Sequence, residues 1–254
     1  MLWYKSWLDT RWRFLIGLAV VLISAGDSLV DYVNLQQVVP ALGTAAIEGG
    51  GAIGRAIEAA IEFQRTFRGF VWYQWFDQNL TYSGTLFAAL LGSGSPFSGS
   101  GRGVLFSLAL PVSRGRWLGT RAAMGLAELL LLLLVPSLAI ALLAPVIGER
   151  YGLGETVVHG TSVFVVASVF FGLALLLSTV FNDLWRPLLL TCLVAMGLSF
   201  GALALPSGYG LFEVMSAESY FRGGSLPWAG WLISVALTAA LLYAAAAQVA
   251  RRDF

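Results

Sequence analysis

The sequence contains few of the residues that most catalytic and metal sites use. It has one cysteine, Cys192, one histidine, His159, and one lysine, Lys5. A single cysteine excludes an intrachain disulfide, and the apolar residues around it are typical of a buried small hydrophobic side chain. A single histidine argues against a histidine-rich metal site and against most acid–base catalysis, so we expect no metal site in this chain.

Charge is scarce as well. Charged residues make up 11% of the chain and hydrophobic residues 58%, whereas about a quarter of the residues are charged in soluble domains. A soluble fold of this length could not bury so much apolar surface. The net charge of +1 gives no basic footprint for nucleic acid. The sequence therefore predicts an integral membrane protein that does not bind nucleic acid.

Long apolar runs predict six transmembrane helices within one domain, residues 1–254. A bilayer core of about 30 Å needs about 20 mainly apolar residues in a helix, and the runs of Leu and Ala do not alternate as barrel strands would. The second run is the least well defined, because Asp77, Gln78 and Asn79 interrupt it. The predicted spans are residues 13–31, 70–93, 117–147, 160–181, 186–206 and 227–249.

The basic residues predict that both termini lie in the cytoplasm. With that orientation, ten of the Lys and Arg residues fall in cytoplasmic segments and five in outer segments. The cytoplasmic ones are Lys5, Arg11, Arg13, Arg102, Arg114, Arg116, Arg121, Arg186, Arg251 and Arg252. The outer ones are Arg55, Arg65, Arg68, Arg150 and Arg222.

Three segments outside the spans predict surface structure. Aromatic residues at three- and four-residue spacing over residues 3–14 favour an interfacial helix in the headgroup plane. The alternative is a first span that begins early. In the outer segment 32–68, Ile53, Ile57 and Ile61 repeat every fourth residue and indicate an amphipathic helix. The outer insert 207–226 suits short interfacial or re-entrant pieces.

Two acidic residues within the predicted spans are candidate intramembrane polar sites. Glu128 lies about two turns into the third span, where an ionised group is costly and usually functional or paired. The alternative is a position near the cytoplasmic end, where Glu128 pairs with Arg121 or caps a neighbouring helix. For Asp77, a structural polar contact and a substrate pathway both stay open.

Two further predictions concern the ends of the later spans. His159 lies just before the predicted fourth span, and a lone histidine there is more often a boundary residue than a ligand. Asp183 and Arg186 are predicted to cap the tight turn that leads into the fifth span, where Pro187 stands in the first turn.

The stretch between the second and third spans is the most informative in the chain. A linker of Gly and Ser over residues 92–101 precedes an apolar segment that arginines flank, residues 102–116. Apolar residues at a membrane surface need lipid headgroups or a protein partner to bury them, and both stay open on physical grounds. The linker has no Gly-Lys-Ser or Gly-Lys-Thr, so we expect no nucleotide-binding loop and no enzyme activity in this chain.

The segment also resembles a known family. Leu108-Ala109-Leu110-Pro111-Val112-Ser113-Arg114, followed by Arg116 and Arg121, is similar to the first cytoplasmic loop of type-2 ABC export permeases, which forms the coupling helix. The resemblance extends to Glu128 and to the turn at residues 177–185. It departs from the family at residues 94–103, which lack the acidic residue often found in that approach.

The resemblance implies a permease subunit of an ATP-driven exporter in a bacterial plasma or inner membrane. Its expected fold is all-α, with six transmembrane helices, an N-terminal interfacial helix and a cytoplasmic coupling helix between spans two and three. The implied partners are a second permease protomer, identical or different, membrane lipids, and cytoplasmic ABC ATPase subunits that bind ATP and Mg; this chain itself holds no cofactor. The implied ATPase-coupling residues are Leu105, Leu108, Leu110, Pro111, Val112, Ser113, Arg114 and Arg116.

A different class of function fits the same spans. The chain could serve as a non-transporting membrane anchor or assembly subunit of another complex. A copurifying ATPase would favour transport, and a stable complex without one would favour the anchor.

Overall fold

The computed structural model describes residues 2–49, 64–94, 114–181, 183–202 and 210–251. These residues form helices joined by turns, and no β-strand occurs among them, which confirms the all-α prediction. The helices are α1 (Leu2–Gly49), α2 (Phe67–Phe70, Val71–Leu80 and Thr81–Gly92 in succession), α3 (Arg114–Leu143), α4 (Leu153–Val180), α5 (Trp185–Ala202), α6 (Leu211–Ser216), α7 (Glu218–Phe221) and α8 (Trp228–Arg251). A 3-10 turn, Ala144–Ile147, extends α3.

Four helical segments of the described residues are long and apolar enough to cross a membrane. They are Thr10–Gln37, Gly115–Ile147, Leu153–Val180 and Trp228–Arg251. They agree with the first, third, fourth and sixth predicted spans and indicate a membrane-embedded protein. The fifth predicted span is a shorter apolar helix, Trp185–Gly201. The second is helical from Phe67 to Gly92 but is not among the four.

Helix α4 lies at the centre of the bundle. About 67% of its most apolar stretch is buried inside the protein, against 22% for α8. It packs against α8, α2 and α3, while α1 packs mainly against α3. The apolar side chains that α8 exposes, such as Leu232 and Ile233, suit contact with lipid rather than water.

Helix α2 contains a π-helical stretch. Thr66 begins the helix, because its hydroxyl accepts a 3.2 Å hydrogen bond from Gly69 N. The stretch from Val71 to Leu80 is π-helical and includes Asp77, Gln78 and Asn79. Helices of this type are rare and often occur at functional sites. The polar residues that made the second span hard to place therefore lie where the helix departs from α geometry.

The prediction of a separate interfacial helix over residues 3–14 is wrong. Helix α1 runs without a break from Leu2 to Gly49. One face of it is buried at three- and four-residue spacing from Ser6 through Thr10 and Phe14 to Val21. Because this spacing continues across residue 14 without proline, the helix continues too. The first span begins early, as the alternative interpretation had it.

The fourth span also begins earlier than predicted. Helix α4 starts at Leu153, preceded by Gly152 at its N-cap, so His159 lies inside the helix and not before it. His159 is fully buried, and its prediction as a boundary residue is wrong. The predicted cap before the fifth span is confirmed, since Arg186 N donates to Asp183 Oδ1 over 2.8 Å. The predicted helix at Ile53, Ile57 and Ile61 lies outside the described residues.

Candidate functional site

Two clusters of polar and aromatic side chains join the helices, one at each end of the bundle. The loop-side cluster lies where α2 ends, at the beginning of the segment 95–113. The insert-side cluster lies where α2 and α4 begin, against the short helices α6 and α7. The loop-side cluster is Thr10, Arg13, Ser93, Gly94, Arg121 and Glu128. The insert-side cluster is Arg68, Trp72, Glu155, His159, Ser216 and Phe221.

In the loop-side cluster, two arginines from different helices meet at the end of α2. Arg13 of α1 donates from Nη1 to Ser93 O over 2.9 Å. Arg121 of α3 donates from Nη2 to Gly94 O over 2.7 Å and to Ser93 O over 3.4 Å. Carbonyls at a helix C-terminus lack intrahelical partners and carry partial negative charge, which favours guanidinium donors. The two arginines therefore hold the end of α2 to both α1 and α3.

Two glycines make this close approach possible. Gly94 has φ +113°, and a Cβ there would lie 3.0 Å from Arg13 Nη1. A Cβ at Gly92 would lie 2.5 Å from the carbonyl oxygen of Phe171 in α4, a distance that real Cβ atoms do not adopt. The sequence Gly92-Ser93-Gly94 thus ends α2 tightly against α4 and turns the chain towards the segment 95–113.

Glu128 joins α3 to α1 in the same cluster. Its side chain is buried, with 1% of its surface exposed, and its Oε1 accepts a 2.6 Å hydrogen bond from Thr10 Oγ1. The Thr10 hydroxyl also lies 3.0 Å from Ser6 O, so one hydroxyl proton faces two acceptors. Glu128 also lies in the electrostatic field of Arg121, while the hydrogen bond that it accepts comes from Thr10. A hydrogen bond across 118 residues of sequence could not be read from local pattern.

Most of the predicted coupling residues cannot be placed. Leu105, Leu108, Leu110, Pro111, Val112 and Ser113 lie outside the described residues. Arg114 is the first residue of α3, and Arg116 is exposed in its first turn, where its carbonyl accepts a 2.8 Å bond from Thr120 Oγ1. The structure thus describes the helix ends on either side of the segment.

The two candidate intramembrane acids lie in different surroundings. Asp77 is half-buried in the π-helical stretch, beside the hydroxyl of Ser216 and in the field of Glu218. It therefore adjoins the insert-side cluster, whereas Glu128 belongs to the loop-side cluster. The structure does not bring Asp77 and Glu128 into one site.

The insert-side cluster is organised around the carbonyl of Ser216, the last residue of α6. Trp72 Nε1 donates to this oxygen over 3.1 Å, and His159 Nδ1 lies 2.9 Å from it. Because a carbonyl can only accept, Nδ1 of His159 carries the proton. Ala217 follows with φ 52°, a left-handed conformation. The insert thus turns at Ser216 while α2 and α4 both hold it.

Aromatic rings and one arginine complete the insert-side cluster. Phe221 stacks on Trp72 with ring centroids 4.6 Å apart, and the Arg68 guanidinium lies 4.6 Å from the centre of the Phe221 ring. Arg68 also donates to Glu155 over 3.0 Å and to Phe221 O over 3.3 Å. The His159 ring lies 5.0 Å from that of Phe76. These contacts hold α6 and α7 over the ends of α2 and α4.

Of the residues in the two clusters, only Glu128 was assigned to a candidate site from the sequence. Arg13 served only to predict orientation, Arg121 was considered as part of the resemblance and as a partner of Glu128, and Ser93 was part of a linker. One signal was present: a Gly-Ser-Gly run after an apolar helix is typical of a C-terminal stop with a left-handed glycine. The donors at this helix end, Arg13 and Arg121, come from α1 and α3, and nothing in the sequence around them indicates these hydrogen bonds.

Comparison with known proteins identifies no relative. No family model, curated protein or solved structure matches this chain.

Proposed function

We propose that this chain is the transmembrane permease subunit of an ATP-driven exporter of the type-2 ABC class. The observation that carries the proposal is the way the end of α2, at Ser93 and Gly94, is held immediately before the segment 95–113. The segment resembles a coupling helix, and it begins at an α2 terminus that arginines from α1 and α3 hold in place. A force on the segment would therefore reach three helices and not only the two that it connects.

In this proposal the chain crosses the membrane six times, with both termini in the cytoplasm. The four long apolar segments supply four crossings, and α2 and α5 supply the second and fifth. The short apolar length of α5 and the polar residues of α2 are acceptable in spans that pack against other helices or a second protomer. The membrane is a bacterial plasma or inner membrane.

The chemistry belongs to a partner. A separate cytoplasmic ABC ATPase binds ATP and Mg and closes on ATP binding, while this chain supplies the path across the membrane. The apolar residues of the segment, Leu108 and Val112 among them, would be buried against the ATPase, while Arg114 and Arg116 meet acidic groups of the partner. The functional complex contains a second permease protomer.

Affinity purification of the Val112→Asp variant tests the docking surface. A carboxylate buried without a partner weakens an interface by several kcal/mol, so we expect at least about tenfold less ATPase to copurify from detergent-solubilised membranes. The protein itself should remain in the membrane at its usual level. ATP hydrolysis by the purified complex, measured per permease, should fall by the same factor.

Val146→Asp is the matched control. Val146 is 80% exposed in the 3-10 turn at the other end of α3, so it should leave the copurified ATPase unchanged. Full retention of the ATPase by Val112→Asp would contradict the docking surface. A stable native complex that contains no nucleotide-hydrolysing subunit would support the membrane-anchor function instead.

A further inference from the structure

Positions far apart in the sequence meet at one backbone oxygen. Arg13 of α1 and Arg121 of α3 both donate to the carbonyl of Ser93, over 2.9 and 3.4 Å. Ser93 is fully buried, so bulk water cannot serve as an alternative hydrogen-bond donor to its carbonyl. Without the guanidinium groups, a helix C-terminus would be left with an unpaired buried acceptor, which costs free energy. The arginines thus stabilise the position at which α2 ends.

The same arginines define how the chain leaves the helix. Arg121 bonds the carbonyl of Gly94 as well as that of Ser93, so it spans the two peptide units at which the chain turns. Gly94 has φ +113°, a conformation that glycine adopts freely and that other residues rarely adopt. Two hydrogen bonds on successive carbonyls hold this one conformation among the many open to glycine.

A second link joins the two arginine-bearing helices. The hydrogen bond between Thr10 and Glu128 connects α1 to α3 directly, and both residues are buried. Thr10 lies one turn from Arg13 along α1, and Glu128 lies about two turns from Arg121 along α3. The Thr10–Glu128 bond therefore keeps α1 and α3 in the register that brings both guanidinium groups to Ser93.

We propose that Arg13 and Arg121 are positioning residues that set the direction in which the segment 95–113 leaves the bundle. The hydrogen bond from Arg13 also ties α1 to the end of α2, from which the segment leaves. The effect on coupling rests on the proposed function, but the effect on the segment itself does not. A lysine could not replace either arginine fully, because its ammonium sits on a shorter side chain and lacks the fixed donor geometry of the guanidinium.

Limited proteolysis of the full chain in lipid nanodiscs tests the proposal without any partner. Trypsin cuts after Arg102, a few residues beyond Gly94, so its rate reports how accessible the chain becomes when the turn at Gly94 is released. We expect Arg121→Gln and Arg13→Gln each to raise this rate about tenfold, the effect of losing a charge-assisted hydrogen bond. Arg121→Lys should give an intermediate rate, about threefold above that of the unchanged protein, because it keeps the charge and N–H donors but not the reach and geometry of the guanidinium.

A local effect must be separated from a general loss of stability. Cleavage after Arg222, at the opposite end of the bundle, should stay constant in all these variants. The variant that carries both Arg13→Gln and Arg121→Gln should raise the rate of cleavage after Arg102 by less than the product of the two single effects. The reason is that both arginines donate to the Ser93 carbonyl. Arg186→Gln is the control, since Arg186 is an exposed arginine that pairs with Asp183; it should leave both cleavage rates unchanged.

Unchanged cleavage after Arg102 in both glutamine variants would overturn the proposal, and so would an equal rise after Arg102 and Arg222. Copurification distinguishes this failure from that of the proposed function. If the unchanged protein brings down no ATPase, the exporter assignment fails, while the proteolysis result still decides the role of the arginines. If an ATPase is present, Arg121→Gln should keep it bound but lower substrate-independent ATP hydrolysis several-fold.

Discussion

The carbonyls of Ser93 and Ser216 are two versions of one arrangement. Each lies at the end of a helix, is fully buried, and precedes a residue with left-handed φ, Gly94 or Ala217. Each faces donor nitrogens from two other helices. The difference is in the donors, which are guanidinium groups at Ser93 and aromatic ring nitrogens at Ser216.

This difference indicates what each end of the bundle can do. A guanidinium stays charged at all physiological pH values and sits on a long side chain that can follow a carbonyl as it shifts. The rings of Trp72 and His159 are fixed by packing against Phe221 and Phe76 and cannot follow. The donors of the loop-side cluster can therefore tolerate a small shift of the carbonyl that they bind, whereas those of the insert-side cluster cannot.

The largest expected effect comes from breaking the turn at the loop side. Gly94→Ala places a Cβ in a conformation that only glycine adopts easily, 3.0 Å from Arg13 Nη1. We expect a loss of about 2 kcal/mol, seen as a thermal unfolding midpoint in detergent several degrees lower. The matched control is Gly26→Ala, where a Cβ has nothing within 4 Å. Gly26→Ala should stabilise the chain by up to about 1 kcal/mol, and an equal loss in both variants would contradict the special role of Gly94.

A smaller loss is expected from removing one ring donor at the insert side. Trp72→Phe keeps an aromatic ring to stack on Phe221 but leaves the Ser216 carbonyl with His159 alone. We expect a loss of about 1–2 kcal/mol in thermal unfolding. Cleavage after Arg222 should accelerate while cleavage after Arg102 does not, which would separate the two ends.

Trp228→Phe is the comparison for that variant. Trp228 is 59% exposed, so its change should stay within about 0.5 kcal/mol. If the two tryptophan variants lose the same stability, the hydrogen bond to Ser216 contributes nothing measurable and the parallel with Ser93 fails.

The smallest effect is a pH dependence confined to the insert side. Tyr151 packs beside Phe76 and Phe67, and burial raises the pKa of its phenol. A raised pKa means that the folded chain favours the neutral phenol. The contribution of this phenol to folding stability is fully present below the ordinary tyrosine pKa of about 10. It is lost as the pH rises through the pKa of the folded state.

Tyr151→Phe should therefore lose less stability than the unchanged protein between pH 8 and pH 11. At pH 8 the two proteins should differ by less than about 0.5 kcal/mol, because a ring of the same shape remains. The thermal unfolding midpoint across this range measures both effects. If the unfolding midpoint of both proteins falls equally between pH 8 and pH 11, ionisation of the Tyr151 phenol does not contribute to the loss of stability.

The sequence predicts the helical fold better than it predicts the clusters. Apolar runs alone place α3 and α8 within a few residues, and Asp183 before Pro187 predicts the cap of α5. The beginning of α4 was missed because Glu155 and His159 look polar, although Gly152 and the apolar residues after Glu155 favoured a helix. A periodic pattern shows which side of a helix is buried, but not against which helix.

The polar contacts show why this limit is physical. Glu128 was predicted as costly in lipid, yet its partner Thr10 carries no signal, because a threonine in an amphipathic helix has many neutral roles. The convergence of Arg13 and Arg121 at Ser93 depends on how three helices pack, which no local pattern encodes. His159 is likewise explained only by Ser216, 57 residues away.

Helix α1 is one continuous helix from Leu2 to Gly49, so a small change in its tilt produces a large displacement at its far end. From Arg13 to Gly49 the helix extends for about 54 Å, well beyond the thickness of a bilayer core of about 30 Å. A rigid rod pivoting at one end amplifies motion in proportion to its length. A tilt of only about 5° at Arg13 would carry the far end sideways by about 5 Å over that length. The far end of α1 would therefore move much further than the residues around Arg13, beyond the apolar stretch Thr10–Gln37 that is long enough to cross a membrane.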